Sequence, residues 1–298
     1  MSVRSFAATC ECAVAAHGVI AAPLNVLPAL REQPGDSVRR PIPPRFLRHS
    51  DEQTVVGLAA VLKAMHAGPL RETCFDNWGV VAAPRFPGRL GGAATFRKYG
   101  QGGPAAISPH IIPQNSLHSV SSAISISLAM HGPNFGIGGG PEALAEGLTV
   151  AMTLLDSSDL PGLWLVLTQW SPEPVPDGLG STQTETVCLA VALGMLRHAK
   201  QNSAGQDPEG VTLRLTVPPR LDRSGRQVRL VSAAADPAGQ TGAAEEPPER
   251  SGVPPLVELA RWLAGKPGER SAPWSLGLPW GGRVELARTN DFQQTKAA

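Results

Sequence analysis

A glycine-rich segment in the middle of the chain constrains the fold most. Residues Asn134–Gly140 (NFGIGGG) are typical of a short strand that is weakened by its glycines. Pro141 follows, and it predicts a helix start, because the N–H that proline lacks would be unpaired in a first helical turn anyway. The helix is expected over Glu142–Leu155, with the Glu142 charge favourable to the helix dipole. A strand that passes through a glycine loop into a helix favours an α/β fold.

Buried helices and strands are predicted on both sides of this segment. Ser50 and Gln53 form a capping-box pattern ahead of an apolar helix over Ser50–Met65. A helix rich in small residues is expected over Asn115–Met130, with Leu117, Val120, Ile124 and Leu128 on one face. Apolar runs predict strands at Trp78–Ala83, Leu163–Thr168 and Val211–Val217, and a run that fits strand or helix at Val187–Leu196.

Glycine and proline mark the expected loops. Gly88–Gly103 is interpreted as a glycine-rich loop with basic residues. Ala233–Pro255 holds almost no large apolar side chain, which predicts a flexible linker or insertion. Beyond it we expect a short helix at Leu256–Leu263, a pair of short strands within Trp274–Leu286, and a frayed tail at Thr289–Ala298.

Composition narrows the class of protein. Hydrophobic residues make up 42% of the 298 positions, which is enough for a sizeable core, and 26 Lys+Arg against 25 Asp+Glu exclude a strongly basic nucleic-acid binder. The four cysteines do not form a disulfide framework, so a reducing compartment fits best. The N-terminus lacks the apolar run of a signal peptide, and no apolar run approaches the ~20 residues that span a bilayer. We therefore expect a cytoplasmic protein with no membrane span.

The loop Gly136–Gly140 admits two interpretations. Its backbone N–H groups precede a helix and could cradle a phosphate, as in a nucleotide-binding module. Pro141 occupies the place where the third glycine of a GxGxxG motif would stand, so the dinucleotide fingerprint fails. The alternative is that these glycines allow close packing between helix and strand.

Searches for other chemistry find little. No GxSxG nucleophile motif is present, and Cys10, Cys74 and Cys188 lie in apolar or strand-like sequence, where a thiol is usually inert. His118 and His131 flank the small-residue helix without a second catalytic group at a suggestive spacing. No pattern of metal ligands occurs. The residues therefore predict no cofactor and no metal.

The segment Ile107–Leu155 resembles the nucleophile region of elongating β-ketoacyl synthases, which have the thiolase-like fold. The resemblance rests on Ile107-Ser108-Pro109, Pro113, the small-residue helix, and Gly132-Pro133-Asn134 before the strand. In that family the strand ends in a catalytic cysteine on a sharp turn, ahead of a helix whose N-terminus lowers the thiol pKa. The implied fold is α/β and thiolase-like, a synthase N-terminal half with a truncated second half.

Departures from the family pattern imply loss of catalysis. Read without gaps, the cysteine position of the family falls on Pro141, which has no thiol. The family also uses two histidines in its second half, and the single histidine after Pro141 is His198, which matches neither motif. A catalytic triad that acts as a unit leaves little chemistry when all of its members are missing. The chain is thus similar to a degenerate, chain-length-factor-like member of the family, of the type found in aryl polyene pathways.

The resemblance also implies a partner. Active synthases of this family are dimers in which the strand before the nucleophile pairs with its two-fold mate, and an unpaired edge strand is normally covered. The implied partner is an active ketosynthase, with an acyl carrier protein reached through the complex. The interface strand comprises Asn134, Phe135, Gly136, Ile137, Gly138, Gly139 and Gly140. A branched residue near Ile111 is implied at the floor of the partner's acyl tunnel, where one methylene matters.

The corresponding domain division is a ketosynthase-like domain over residues 1–232, a linker over 233–255 and a remnant of the second half over 256–298. Two other classes of function stay open from the residues. The chain could be a stand-alone enzyme on acyl thioesters that uses His118 or His131, or a nucleotide-binding module that uses the Gly136–Gly140 loop.

Overall fold

The described part of the chain contains eight strands, seven α-helices and two short 3₁₀ helices, Pro69–Glu72 and Pro104–Ala106. The computed structural model describes residues 8–35, 42–43, 45–197, 210–218, 252–265, 272–288 and 291. The strands are β1 Ala8–Pro23, β2 Gly79–Pro84, β3 Asn134–Gly136, β4 Leu163–Ser171, β5 Val187–Arg197, β6 Val211–Val217, β7 Trp274–Gly277 and β8 Arg283–Arg288. The helices are α1 Leu27–Glu32, α2 Glu52–Ala67, α3 Arg89–Gly102, α4 Ile111–Gln114, α5 His118–Leu128, α6 Ala143–Ser157 and α7 Pro255–Ala264.

All eight strands join one mixed sheet, in the order β3-β2-β4-β5-β1-β6-β8-β7. Strands β3, β2 and β4 are parallel to one another, and every further pairing is antiparallel. The parallel pairs are connected through the helices α5 and α6, as crossover connections between parallel strands require. The expected α/β fold is therefore confirmed.

Both faces of the sheet are covered, and β4 shows this directly. Its residues Leu163, Leu165 and Leu167 belong to one buried cluster, which includes residues of α6 and α7. Its residues Trp164, Val166 and Trp170 belong to a second cluster on the opposite face, with residues of α2 and α5. Successive side chains of a strand point to opposite faces, so a strand between two helical layers is apolar throughout. This explains why LWLVLT could be recognised as a buried strand.

Helix α2 starts one residue later than a Ser50 cap would require. Asp51 is the N-cap residue, and its carboxylate accepts from the Thr54 N–H at 2.9 Å and from the Gly88 N–H at 3.2 Å. Ser50 and Gln53 therefore do not form the expected capping box. Burial raises the pKa of the Asp51 carboxyl, against the opposite effect of these hydrogen bonds.

The prediction of a glycine-rich loop at Gly88–Gly103 is wrong, because α3 fills the segment. Gly88 and Gly103 lie at its two ends with φ of +69° and +68°, so the left-handed conformation falls outside the helix rather than within it. Leu90 is the buried anchor that packs α3 against the second cluster. Tertiary packing outweighs the helix-weakening effect of the interior glycines.

Pairing on both sides decides the ambiguous run at Val187–Leu196. It forms β5, which lies between β4 and β1 and is antiparallel to both. β1 spans sixteen residues and pairs with β5 and β6, with a register shift between Val14 and Ala16. The long first strand thus links the parallel and antiparallel parts of the sheet.

The C-terminal elements continue the same sheet. Helix α7 begins at Pro255, one residue before the predicted start, and β7 and β8 form the expected pair of short strands. β8 pairs with β6 from Val211↔Arg288 to Thr216↔Arg283. The linker prediction, apart from its last residues, and the tail prediction, apart from Asp291, lie outside the described residues. Within the described ranges, no helix is both long and apolar enough to cross a membrane.

Candidate functional site

Strand β3 lies at one edge of the sheet. Its pairing with β2 joins Val80 to Asn134, Val81 to Phe135 and Ala82 to Gly136, and no other described strand pairs with it. Phe135 is 44% exposed, although it is a large apolar side chain in the sheet. The strand therefore presents an open edge with an exposed aromatic ring.

The expected strand over Asn134–Gly140 is too long by four residues. Only Asn134–Gly136 forms a regular ladder, and a single further bridge joins Gly139 to Arg85. Gly138 and Gly139 have φ of +82° and +88°, which ends the extended conformation and turns the chain toward α6.

Close packing accounts for the glycines of this turn. A Cβ on Gly136 would lie 2.0 Å from the carbonyl oxygen of Leu117, and a Cβ on Gly139 would lie 2.7 Å from a Leu117 methyl. A Cβ on Gly138 would lie 2.9 Å from that of Ala143, in the first turn of α6. At three of the five positions in the Gly136–Gly140 loop, the space that a Cβ would need is thus already occupied by atoms of neighbouring elements. This favours packing over a phosphate cradle.

Pro141 is exposed and lies just before α6. The helix begins at Ala143 with Glu142 as its N-cap, one residue after the expected start at Glu142, so Pro141 lies outside the first helical turn. The local order is nevertheless the predicted one, in which an edge strand passes through a glycine turn into a buried helix. At this position proline supplies neither a thiol nor a backbone N–H.

A cavity of about 230 Å³ opens beside Pro141. It lies at the carboxyl ends of β2 and β4, where α/β sheets commonly hold ligands, and α6, α7 and β7 close its sides. The lining residues are Ala83, Arg85, Pro141, Glu142, Ala143, Leu144, Ala145, Leu167, Thr168, Gln169, Pro255, Leu256 and Leu276. No pattern in the sequence pointed to this cavity.

Charged residues gather beside the cavity. Glu173 has one carboxylate oxygen 3.8 Å from Arg85 Nε and the other 3.8 Å from Arg89 Nε. Both guanidinium groups also lie over the Phe86 ring, at 5.3 and 4.8 Å from its centre. Burial raises the pKa of the Glu173 carboxyl, and the two arginines only partly oppose this.

The histidines singled out from the sequence do not meet at this cavity. His118 begins α5, and its Nδ1 lies 3.1 Å from Ser121 Oγ. His131 follows the same helix, is largely exposed, and its Nδ1 lies 2.6 Å from an Asp76 carboxylate oxygen. Neither lines the cavity beside Pro141. His198 lies outside the described residues.

The cysteines are mostly shielded from reaction. Burial raises the pKa of the Cys10 thiol to about 11, and it raises the pKa values of Cys12 and Cys188 as well. Cys74 is exposed, which contradicts its predicted apolar surroundings. Among the residues with described positions, no group of three or more His, Cys, Asp or Glu is arranged to hold a metal ion.

Ile111 begins the short helix α4 and is partly buried. It borders a groove of about 620 Å³ that also includes His49, Lys98 and His110. The next residue, Ile112, is 73% exposed, and Ile126 on α5 is 61% exposed. Because α5 contacts both α4 and β3, these three neighbouring elements each carry an exposed large apolar side chain, although Phe135, which pairs with Val81, lies on the α6 face of the sheet and not on the α5 face.

Comparisons with known proteins find similarity only among solved structures. No protein-family model matches the chain, and no curated protein does. A chain of the complex of a ketosynthase (ApeO) with its chain length factor (ApeC) from Xenorhabdus doucetiae is 14% identical, with 94% of this chain and 97% of that chain covered and a TM-score of 0.49.

Two further structures are similar over about two thirds of the chain. A chain of AntDE:AntF, a type II PKS acyl-carrier protein in complex with its ketosynthase, is 14% identical, covers 64% of each chain and has a TM-score of 0.46. A chain of the ishigamide ketosynthase/chain length factor is 15% identical, covers 67% of this chain and 64% of that chain, and has a TM-score of 0.43. All three structures contain a ketosynthase.

Proposed function

We propose that this chain is a noncatalytic, ketosynthase-like subunit of the chain-length-factor type, which pairs with an active β-ketoacyl synthase on carrier-bound acyl chains. The observation that carries the proposal is the junction of β3 and α6, where an edge strand turns into a buried helix at Pro141, the residue on which the cysteine position of the family falls in a gapless reading. The same local order surrounds the nucleophile in the family, and a proline at the turn can form no acyl thioester. The partner would supply the cysteine and both histidines.

The open edge of β3 supports pairing with a second subunit. An unpaired edge strand with an exposed phenylalanine is a liability for an isolated protein, and proteins normally cover such an edge. The exposed Ile112 and Ile126 would be buried by the same contact. Ile111, close to this surface, is proposed to limit the length of the acyl chain in the partner.

The same proposal covers pathway and organisation. Residues 1–232 would form the ketosynthase-like domain, 233–255 a linker, and 256–298 a remnant of the second half that extends the sheet. An acyl carrier protein would reach the complex through the active subunit. A polyene or other fatty-acid-like pathway in the cytoplasm is the context that we propose.

The partner can be identified by affinity purification of the tagged chain from its native host. We expect mass spectrometry to find a ketosynthase that has the cysteine and both histidines, in a one-to-one complex. Condensation activity should require both proteins, and neither should be active alone. A chain that stays monomeric beside every such synthase, or that condenses acyl groups alone, would contradict the proposal.

Substitution at the strand edge tests the proposed interface. Phe135→Lys should abolish complex formation, because burial of an unpaired lysine in an apolar contact is unfavourable, while the fold of the isolated chain should be retained. Trp280→Lys is the matched control, because Trp280 is 41% exposed but lies between β7 and β8, at the opposite end of the sheet. Gel filtration of each variant with the synthase measures both effects. Equal binding by the two variants would place the interface elsewhere.

A further inference from the structure

The second half of α3 projects from the body of the protein. The buried Leu90 anchors the first turn of the helix, whereas every residue from Phe96 to Gly102 is exposed. Phe96 is 79% exposed and Tyr99 is 53% exposed, and because they lie three residues apart they are neighbours on one side of the helix. A projecting helix end with two adjacent aromatic rings in water is typical of a contact surface. We call residues 96–102 the α3 tip.

The glycines of α3 show where this side of the helix faces. Gly92 and Gly100 lie four residues before and after Phe96, and therefore on the same side. A Cβ added at either glycine would meet no atom within 4 Å. The side that carries the two aromatic rings thus faces open space, and the missing side chains at the glycines let the helix backbone come close to a flat surface.

Acidic residues are absent from a long stretch of the chain around α3. From Asn77 to Pro141 there is no Asp or Glu, whereas the same stretch contains four Lys or Arg and three His. Arg97 and Lys98 stand between the two aromatic residues in the sequence, so they flank the aromatic side of the helix. Arg97 Nη1 donates to the backbone oxygen of Asp177 at 3.4 Å, which brings one acidic residue near that flank. The Lys98 flank has no such neighbour among the residues that line the adjoining groove.

The groove beside Ile111 continues this surface on the Lys98 flank. Thr95 and Lys98 of α3 line it together with His49 and His110, and no acidic residue does. The groove therefore offers a cation and several hydrogen-bond donors directly beside the exposed aromatic rings. An apolar projection next to cationic donors is the arrangement by which proteins bind the surface of an anionic bilayer.

We propose that the α3 tip docks the protein onto a membrane surface that contains anionic phospholipid. Phe96 and Tyr99 enter the boundary between headgroups and acyl chains, while Lys98 contacts the phosphates of the headgroups. The projecting shape favours lipid over an acidic protein, because a bilayer accepts the two rings without a matching pocket, whereas a folded partner must provide one. The proposal does not depend on the proposed function, since it involves neither β3 nor the residue at position 141.

Flotation of the isolated full-length chain with lipid vesicles tests the proposal. Vesicles of phosphatidylcholine alone are compared with vesicles that contain equal amounts of phosphatidylcholine and phosphatidylglycerol. We expect binding to the mixed vesicles and at least tenfold weaker binding to the neutral ones. Most of the binding should be lost at about 1 M salt, where charges are screened beyond about 3 Å. Failure to bind the mixed vesicles, or equal binding to both kinds, would overturn the proposal.

Two pairs of variants locate the contact. Phe96→Ala should weaken vesicle binding at least fivefold, whereas Trp280→Ala should not, because Trp280 is an exposed aromatic residue between β7 and β8. Lys98→Gln should weaken binding about fivefold, as expected for one cation at an anionic surface. Arg261→Gln removes an exposed cation of α7 and should leave binding unchanged.

All four side chains are at least partly exposed, so circular dichroism and the Tm should show that each variant is folded. Equal vesicle binding by the two members of either pair would overturn the proposal. It would also be overturned if Phe96→Ala and Lys98→Gln left vesicle binding unchanged but weakened binding of an acidic carrier protein, because the α3 tip would then serve a protein partner.

Discussion

At the residue scale, two buried glutamines have opposite surroundings. The Gln53 amide donates to the backbone oxygens of Arg85 at 2.8 Å and of Phe86 at 3.3 Å, and its Oε1 accepts from Thr168 Oγ1 at 2.7 Å. Gln53 therefore holds α2, the end of β4 and the turn after β2 together, while Gln169 has an unpaired amide nitrogen. Residues of the same type and similar burial thus connect several elements in one case and leave a donor unpaired in the other.

Thermal unfolding should separate the two. Gln53→Met leaves two carbonyls and a hydroxyl without their partner, and we expect a loss of about 1–3 kcal/mol in the free energy of unfolding. Gln169→Met removes an unpaired donor and should leave the stability equal or higher. Calorimetry of both variants against the unaltered protein checks the prediction. An equal loss in both would mean that Gln169 has a structural partner.

Residue identity alone did not decide the local roles. Ser50 and Asp51 are both good N-cap residues, and the Asp51 carboxylate is favoured because it accepts from Thr54 nearby and also from the Gly88 N–H, 37 residues further along the chain. The strand, turn and helix around Pro141 were predictable, because the sequence there has an ordered pattern. Gln169 was not, because its lack of a partner depends on residues from other elements.

At the element scale, β3 and α5 lie close enough for backbone to contact backbone. Gly136 is the contact point, since a Cβ there would lie 2.0 Å from the Leu117 carbonyl oxygen. The same turn includes Gly140, whose added Cβ would meet no atom within 4 Å. The same loop therefore contains Gly136, where packing leaves no room for a side chain, and Gly140, where a Cβ would contact nothing.

Alanine at these two positions gives a matched pair. Gly136→Ala should force β3 and α5 apart and lower the free energy of unfolding by about 1–3 kcal/mol, as overpacking usually does. Gly140→Ala should change it by less than about 0.5 kcal/mol, since it meets free space. Urea unfolding of the isolated chain measures both. Similar stability of the two variants would contradict the close approach.

Element prediction succeeded where the pattern was strong and local. The strands β2, β4 and β6 and the helix α2 have continuous or alternating apolar runs that indicate their type. Alanine, a poor strand former, occupies six of the sixteen positions of β1, and the strand conformation depends on pairing with β5 and β6. The helix α3 was not predicted, because its glycines are typical of a loop, whereas packing against the rest of the molecule stabilises the helix.

At the scale of the whole molecule, stability should fall from the centre of the sheet toward its ends. β5 is almost fully buried and is paired along both edges, whereas β3 and β7 are paired along one described edge each. The cavity also belongs to this scale, because β2, β4, α6, α7 and β7 all line it. No local sequence pattern could have assembled it, although the strand–turn–helix at its rim was predictable.

Hydrogen exchange should follow this order and identify the edge that a partner uses. In the isolated chain we expect amides of β5 to exchange most slowly and those of β3 and β7 faster. When the synthase is added, protection should rise in β3 and stay unchanged in β7. Mass spectrometry of exchanged peptides measures both strands in one experiment, and protection of β7 alone would refute pairing through β3.

The two ends of the sheet also determine what kind of assembly can form. Contact between β3 of one molecule and the same strand of a similar subunit is self-complementary, so a two-fold axis closes the pair after a single contact. Contact between β3 and β7 would be head-to-tail and could be repeated without limit, which leads to filaments. In the proposed pairing the mate takes the β3 edge with its exposed Phe135, so that edge is no longer open to a further molecule and the assembly stops at two subunits.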